Sequence, residues 1–439
     1  MIQTGVTCLR NFVLGILGAT LVGCQPSTRL DPSMVLSADV LAIATSAGSS
    51  PRFAAGGPNA DEYGVDAGYP VKALSRPRFF VGTFSHQDQI LEGRRIRRAD
   101  TPSPLARAAV EPALLYRHDG QARTLDDYLA RNSATGLLIA RDDTILVERY
   151  QYARNDQHRL TSASMAKTVT AMLVGIAIEE GRIRSVDDLA AAYVPALAGT
   201  EYGRTSLRHL LQMSSGVRFA ETYSGLDDVG RLWFETVVQG GPGGAAAVAP
   251  FNHRQRWSGA VFSYSSAETQ VLGLVLTNAV GRPVAEYLQE KIWQPMGAEA
   301  DATWIIDAAG QEATYCCLNA VLRDYARLGL LLAHDGRLGK RQIIPKSWVL
   351  EATTVPADRP DLQLVWSDTR FGYGYQTFIF QGQRRMFALI GAHGQAIYVD
   401  PMSRLVMVHT AVRKQPTDPN TETLALWKSV VGMLGSGAR

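Results

Sequence analysis

The alternation of apolar and polar residues predicts β-strands at both ends of the chain. Residues 137–140 and 145–150 are apolar runs separated by Arg141-Asp142-Asp143, a pattern typical of a β-hairpin. Near the other end, similar runs predict strands over residues 373–380, 385–390, 395–399 and 404–409, followed by a last helix over 422–434. Strands from both termini around a helical middle favour an α+β fold, with one antiparallel sheet built from the two chain ends.

Between these strands, apolar residues recur at helical spacing. A helix after Ser164 is expected to end at Gly181, and a helix over residues 265–280 is expected to begin at a capping box formed by Ser265 and Glu268. Further helices are predicted over residues 125–129, from Ser185, from Thr205 to Gly216, over 227–238 and over 319–333. The Gly- and Ala-rich residues 240–250 predict a loop. We therefore expect a helical block, residues 186–364, inserted into the sheet domain.

The composition suits a large globular domain and argues against nucleic acid as a partner. The chain has 439 residues, 46% hydrophobic and 19% charged, with a net charge of only +3. The basic residues 94–98 are interpreted as a solvated loop. The eight histidines show no spacing typical of metal ligands, so we expect no metal and no cofactor.

The N-terminus has the features of a targeting segment. Arg10 precedes an apolar stretch, residues 12–22, that is too short to span a membrane. Leu21-Val22-Gly23-Cys24 resembles the lipobox of bacterial lipoproteins, which implies lipidation of Cys24 and a location at the cell envelope, at the outer membrane facing the periplasm. An ordinary secretory signal with a chance cysteine is the alternative. We divide the remainder into a tether (25–75), an N-terminal extension (76–133) and the main domain (134–439).

The cysteines predict no disulfide framework. Cys8 and Cys24 lie in the leader, which leaves only Cys316 and Cys317 for the folded domain. Adjacent cysteines rarely form a disulfide, because the small ring strains the peptide between them. The sequence therefore implies no disulfide framework, and it leaves the redox state of Cys316 and Cys317 open.

The candidate chemistry lies in Ser164-Met165-Ala166-Lys167. Serine and lysine three residues apart on a helix share a face, so that the amine reaches the hydroxyl. A serine needs a neighbouring base to become a nucleophile, and a desolvated lysine is able to act as one near neutral pH. A position at the start of a helix adds free N–H groups that favour an oxyanion. The same pattern also occurs by chance as a solvated pair.

Three further segments follow this one in a characteristic order. They are residues 210–216, Tyr264-Ser265-Ser266, and Gly391-Ala392-His393-Gly394-Gln395 before a strand. Together the four segments resemble the serine β-lactamase and penicillin-binding protein superfamily. The likeness is greatest to class C enzymes, related esterases and the 6-aminohexanoate-dimer (nylon oligomer) hydrolases. It implies a β-lactamase/transpeptidase-like fold and an acyl-enzyme formed on Ser164.

The resemblance also implies roles for individual residues. Lys167 and Tyr264 would exchange protons with Ser164, and Lys167 would lower the pKa of the Tyr264 phenol. The backbone N–H groups of Ser164 and Ala392 would form the oxyanion hole.

Four more residues are candidates for substrate binding. Ser266 would contact Lys167 or the substrate, or act only as a helix cap, and Gly391 would border the substrate. His393 would touch the substrate or only fix a turn. Tyr223 matches a tyrosine that reaches over the pocket in the nylon-oligomer branch, with a surface position as its alternative.

One departure from the superfamily pattern bears on the substrate. Where the family has a lysine or histidine two residues before Gly391, this chain has Leu389. A β-lactam or D-alanyl carboxylate normally binds that cation, so its absence favours a small ester or amide substrate. A class C β-lactamase, a D-alanyl-D-alanine carboxypeptidase and a non-catalytic envelope-binding protein remain alternatives.

Overall fold

A single mixed sheet, built from both ends of the chain, organises the structure. In the computed structural model, residues 48–65, 68, 76–365, 371–417 and 421–435 are described, and all of them lie in the compact unit Ala44–Arg439. The predicted leader with Cys24 and most of the predicted tether lie outside the described residues. Within the described part, no helix is long and apolar enough to cross a membrane.

The strands of the described part are short to medium in length. They are β1 (Arg52–Phe53), β2 (Gly93–Ile96), β3 (Ala106–Arg107), β4 (Leu115–His118), β5 (Gln121–Thr124), β6 (Ala134–Arg141), β7 (Thr144–Tyr150), β8 (Leu160–Thr161), β9 (Ala302–Ile305), β10 (Leu318–Ala320), β11 (Arg337–Leu338), β12 (Arg341–Gln342), β13 (Phe371–Tyr373), β14 (Phe378–Phe380), β15 (Phe387–Gly391), β16 (Gln395–Asp400) and β17 (Leu405–Ala411).

Two long helices, α5 and α9, lie in the middle of the chain. The helices are α1 (Ala60–Tyr63), α2 (Phe80–Ser85), α3 (Gln87–Ile90), α4 (Leu125–Arg131), α5 (Met165–Glu179), α6 (Leu207–Leu211), α7 (Asp228–Thr236), α8 (Gly244–Val248), α9 (Ser266–Val280), α10 (Val284–Leu288), α11 (Leu322–Ala333), α12 (Lys346–Ala352) and α13 (Thr421–Leu434). Short 3₁₀ turns include Pro77–Phe79, Ala190–Ala192 and Ala392–Gly394, and a π-helical turn covers Gln289–Trp293.

The main sheet confirms the predicted α+β architecture. Its order is β1-β7-β6-β17-β16-β15-β14-β13, with β3 also paired to β7. The pairs are antiparallel except that β1 and β3 run parallel to β7. Both faces are covered, because β6 and β17 are buried along almost their whole length. Helices α5, α9 and α11 pack in one core, while α4 and α13 belong to a second core on the other side of the sheet.

The structure differs from the predicted elements in four places, three of them in the helical insertion. No helix begins at Ser185, because this segment pairs with the loop before α6: Leu189 bridges to Ser206. The predicted loop over residues 240–250 contains α8. The predicted helix over 319–333 loses its first residues to β10, and the predicted strand over 373–380 is a hairpin of β13 and β14. At Leu189 and at β10, which pairs with β8 and β9, tertiary pairing overrides local propensity.

The predicted capping box at the start of α9 is wrong. Ser265 stands at the N-cap, but its side chain makes no capping hydrogen bond. The Glu268 carboxylate instead accepts hydrogen bonds from the backbone N–H and the hydroxyl of Ser215, 3.3 and 2.6 Å away. Glu268 therefore ties α9 to the end of the segment that contains α6.

The segments before the main domain are ordered against it. Arg52 and Phe53, within the predicted tether, pair with β7. The basic residues predicted as a solvated loop begin in β2, which pairs with β9, and Arg95 forms an ion pair with Asp301. From the N-terminal extension, α2 brings Phe80 against the sheet domain. The extension therefore belongs to the folded unit.

The structure decides the redox state of the two adjacent cysteines, which the sequence left open. Cys316 and Cys317 form a disulfide between neighbouring residues, and both are buried. The pair precedes β10, and Cys317 has a positive φ of 67°. The immediately preceding residue, Tyr315, contributes its carbonyl oxygen to the candidate site described below.

Candidate active site

Ser164 lies at the junction between β8 and α5. It occupies the N-cap of α5 with φ −70° and ψ −2°, and its hydroxyl makes no capping hydrogen bond. An N-cap serine ordinarily uses its oxygen to bind the free N–H groups of the first turn. Here the hydroxyl is left for other partners, and Ser164 is 8% exposed.

Lys167 lies one turn into α5 and points back toward Ser164. Its Nζ is 2.8 Å from Ser164 Oγ, 3.0 Å from Ser266 Oγ and 3.1 Å from the carbonyl oxygen of Tyr315. The side chain is almost completely buried. Burial lowers the pKa of Lys167 from 10.5 to about 8, while the Glu221 carboxylate acts in the opposite direction. A neutral amine is therefore accessible near neutral pH, as the Ser164–Lys167 spacing predicts.

Tyr264 lies immediately before α9 and hydrogen-bonds the Ser164 side chain. Lys167 Nζ lies over its ring, 4.9 Å from the centroid. The expectation that Lys167 would lower the pKa of Tyr264 is wrong: burial raises that pKa, and the Glu221 carboxylate raises it further. The phenol is thus neutral in the resting site, where it is able to donate a proton and unable to act as a base.

Ser266 is the first residue of α9 and binds groups on both sides. Its Oγ lies 3.0 Å from Lys167 Nζ and donates to Glu221 Oε1 at 2.8 Å. Of the two interpretations left open for Ser266, the structure favours contact with Lys167, because the N-cap position belongs to Ser265.

Tyr223 lies in the loop before α7 and also reaches Ser164. Its phenol donates its single hydrogen to Glu221 Oε1 at 3.1 Å, so it faces the Ser164 hydroxyl as an acceptor. The residue adopts a left-handed φ of 57°, which directs the side chain inward from the loop. Of the two interpretations of Tyr223, the structure favours a position at the candidate site over one on the surface.

Gly391 ends β15 directly beside the first turn of α5. A methyl group there would lie 2.6 Å from Ser162 O and 2.9 Å from Ser164 N. Only a residue without a Cβ allows the end of β15 to lie this close to Ser164, and Ala392 follows directly in the chain. Within the described part of the chain, the N–H groups of Ser164 and Ala392 have no backbone acceptor.

His393 is held by structural contacts. Its Nδ1 donates to the carbonyl oxygen of Arg413 at 2.6 Å, and its ring packs edge-on against Phe80 and Phe84 at 4.9 and 5.2 Å. Its φ of 63° shapes the turn that carries Ala392. These contacts favour the interpretation that His393 fixes a turn.

Leu389, which stands in place of the expected cation, has no exposed surface. It lies in the core that also contains residues of α5. The cation that does lie beside Ser164 is Lys167, which also stands over the ring of Tyr264.

Two residues of the candidate site, Glu221 and Tyr315, were not identified from the sequence. Glu221 contacts Ser266 and Tyr223, and its only sequence signal is its position two residues before Tyr223. Tyr315 contributes a backbone carbonyl, which leaves no signal in the sequence. A separate cleft of about 580 Å³, lined by Arg208, Tyr375 and others, contains none of the residues around Ser164.

Comparison with solved structures shows the fold. A Bacillus anthracis protein provisionally described as a 6-aminohexanoate-dimer hydrolase aligns with a TM-score of 0.74 and 21% identity, over 86% of this chain and 98% of that one. EstCE1, a hydrolase with promiscuous acyltransferase activity, aligns with a TM-score of 0.53 and 15% identity, over 68% of this chain and 94% of that one.

Sequence comparison shows the family. The 6-aminohexanoate-dimer hydrolase of Paenarthrobacter ureafaciens is 27% identical over 339 residues, which cover 74% of this chain and 83% of that protein. The sequence model of the Beta-lactamase family matches residues 122–431, well over half of the chain. The protein is therefore a serine hydrolase of the Beta-lactamase family.

Proposed function

We propose that this protein cleaves small linear amides or esters through an acyl-enzyme formed on Ser164. The observation that carries the proposal is the buried Lys167 amine, 2.8 Å from the Ser164 hydroxyl and with a pKa lowered to about 8. A base with a pKa near the working pH combines a large neutral fraction with adequate proton affinity.

The first step is attack of Ser164 Oγ on the substrate carbonyl while Lys167 takes the hydroxyl proton. The negative charge that develops on the carbonyl oxygen is stabilised by the N–H groups of Ser164 and Ala392. Tyr264, a neutral phenol beside Ser164, donates a proton to the departing amine or alkoxide and recovers one from Lys167. Water then attacks the acyl-enzyme by the reverse sequence of proton transfers.

The surroundings of Ser164 support a substrate without a carboxylate beside the scissile bond. Leu389 is buried where the superfamily resemblance would place a cation, and Glu221 adds negative charge nearby. A similar protein acts, by its name, on the 6-aminohexanoate dimer, a linear amide. We propose the same class of substrate here, with Tyr223 contacting the part of the substrate next to the leaving group.

A burst experiment tests the nucleophile. Mixing the enzyme with p-nitrophenyl acetate is expected to release a rapid burst of nitrophenol equal to the enzyme concentration, and Ser164→Ala is expected to abolish it. Ser347→Ala, which removes an exposed serine hydroxyl on α12, is the matched control and should keep the burst. Equal bursts from the wild type and Ser164→Ala would refute the proposal.

A substrate panel distinguishes the alternatives. The proposal predicts turnover of short linear amides and esters and little turnover of a chromogenic cephalosporin. Rapid cephalosporin hydrolysis would favour a β-lactamase, and release of D-alanine from a D-alanyl-D-alanine peptide would favour a carboxypeptidase. Binding of a peptidoglycan fragment without any covalent labelling by a fluorophosphonate would favour a non-catalytic binding protein.

We also propose that the chain is anchored to the cell envelope by lipid on Cys24. Support comes only from the apolar leader and the small residues before that cysteine. Incorporation of labelled palmitate that disappears in Cys24→Ala, together with release of that variant from the membrane fraction, is the expected result. An unlabelled wild-type protein would refute it.

A further inference from the structure

The Glu221 carboxylate accepts hydrogen bonds from two residues that contact the nucleophile and its base. Ser266 donates from its backbone N–H at 2.7 Å and from its hydroxyl at 2.8 Å. Tyr223 donates from its phenol at 3.1 Å. An ionised carboxylate has only acceptor sites, so it fixes the direction of every hydrogen bond that it makes.

This direction matters because a serine hydroxyl has a single hydrogen. Since the hydrogen of Ser266 is directed to Glu221, the oxygen is left to face Lys167 Nζ, 3.0 Å away, with lone pairs only. A neutral lysine amine has two hydrogens and one lone pair. Its two hydrogens then match the two acceptors around it, Ser266 Oγ and Tyr315 O. The lone pair remains for the third neighbour, Ser164 Oγ, at 2.8 Å.

We propose that Glu221 is a positioning residue that orients the Ser266 hydroxyl, and thereby aims the lone pair of Lys167 at the hydroxyl of Ser164. Without the carboxylate, the Ser266 hydroxyl is free to rotate and donate to Lys167 itself. The amine would then be occupied by the wrong partner and unable to accept the proton of Ser164. This inference rests on the proposed function, because it assigns a role within the same acylation step.

A second consequence is electrostatic. Glu221 is the charged group that acts on Lys167, whose other neighbours are the hydroxyls of Ser164 and Ser266, the Tyr315 carbonyl, and the rings of Tyr264 and Tyr315. The negative charge favours protonated lysine and so raises its pKa, against the effect of burial. Removing the charge is expected to lower the pKa of Lys167 further.

Replacing Glu221 by glutamine separates the two effects. The amide keeps the size of the side chain, but its NH₂ group is able to donate to Ser266 and thereby reverse the hydrogen bond. The limiting acylation rate at high pH is expected to fall roughly tenfold to hundredfold. The midpoint of the acid limb of the pH–rate profile is expected to move about one pH unit lower, since the amine deprotonates more easily. A purely structural loss would lower the rate without moving the midpoint.

A double-mutant cycle tests the route through Ser266. Ser266→Ala removes the hydroxyl whose orientation is at issue, so Glu221→Gln should slow acylation much less in that background than in the wild type. If Glu221→Gln slows acylation by the same factor in the Ser266→Ala background as in the wild type, the two residues act independently and the proposal is overturned. Glu268→Gln is the control for the structural effect of the substitution: it makes the same replacement at a buried carboxyl on α9, which binds Ser215 and whose pKa burial raises to about 8. It should neither move the midpoint nor couple to Ser266.

A measurement without turnover separates this inference from the proposed function. The pKa of Lys167 is read by NMR titration of protein labelled with ¹³Cε-lysine, the signal being assigned by its absence in Lys167→Met. A midpoint about one pH unit lower in Glu221→Gln supports the electrostatic effect of the carboxylate, even for an enzyme with an unidentified substrate. An unchanged midpoint in a folded variant, checked by its thermal transition, overturns that effect, whereas an absence of coupling between Glu221 and Ser266 overturns the orienting role. If the NMR midpoint shifts as expected but the wild-type enzyme gives no burst, only the acyl-enzyme mechanism is rejected.

Discussion

Replacing Gly391 by alanine tests the proposed oxyanion hole through a single methyl group. The new Cβ would lie 2.6 Å from Ser162 O and 2.9 Å from Ser164 N, whereas ordinary contact begins near 3.4 Å. The methyl is therefore about 0.8 Å too close to the first atom and about 0.5 Å too close to the second. Both neighbours are backbone atoms that cannot rotate away, so the end of β15 must move. The backbone itself is not at issue, because φ −126° and ψ 158° suit any residue.

This movement would displace the Ala392 N–H from the carbonyl oxygen of a bound substrate. A misplacement approaching 1 Å at a reacting group costs about a hundredfold in rate. That corresponds to about 2.7 kcal/mol of transition-state stabilisation. We expect kcat for p-nitrophenyl acetate to fall by about this factor with little change in KM, because the hydrogen bond forms mainly as charge develops on the oxygen.

Phenylboronic acid provides a second measurement, since its tetrahedral adduct with a serine places an anionic oxygen in the same position. Its affinity should weaken in parallel with kcat. Gly56→Ala is the control, because a methyl there meets no atom within 4 Å. A second variant, Ala392→Pro, removes the N–H outright and should lower kcat by about 10²–10³-fold. Folded variants of both kinds with wild-type kcat and boronate affinity would refute the oxyanion hole proposed here.

Three further predictions concern Lys167 and His393. The burst rate should rise about tenfold per pH unit up to a midpoint near pH 8 and then level off, because the neutral amine is the active form; a midpoint above pH 10 would contradict the lowered pKa. Lys167→Met should abolish the burst yet raise the free energy of unfolding at pH 7 by about 3 kcal/mol. The pKa of Lys167 is about 8 in the folded state and 10.5 in the unfolded state. The free-energy cost of burying the charged amine is therefore fully present below pH 8 and absent above pH 10.5. Urea titrations in which the wild type and Lys167→Met show the same pH dependence would exclude this cost. His393→Asn should leave KM unchanged, since asparagine tolerates a left-handed φ and the ring contacts Phe80 and Phe84; a several-fold rise in KM would instead indicate substrate contact.

Prediction from the sequence succeeded where local spacing decides the structure. The three-residue separation of Ser164 and Lys167 places amine and hydroxyl on one face of α5, whatever packs around that helix. The strand periodicity likewise identified β6, β7 and the C-terminal strands β15–β17. Prediction failed at Ser185, where a helix was expected and the segment instead pairs through Leu189 with Ser206. The disulfide between Cys316 and Cys317 was left open by the sequence, because adjacent cysteines rarely form one.

The amino-acid sequence by itself indicated the strands at both chain ends, the long helices between them, the pairing of Ser164 with its neighbouring lysine, and the glycine at the end of β15. Each of these follows from contacts within a few residues or from the absence of a side chain. Only the tertiary structure decided the environment of the amine. Ser266 and the Tyr315 carbonyl, which bind Lys167, are 99 and 148 residues away in the chain, and Glu221 enters from a separate loop. Hydrogen-bond direction and desolvation depend on which residues from distant parts of the chain come into contact, and a local sequence pattern does not predict those contacts.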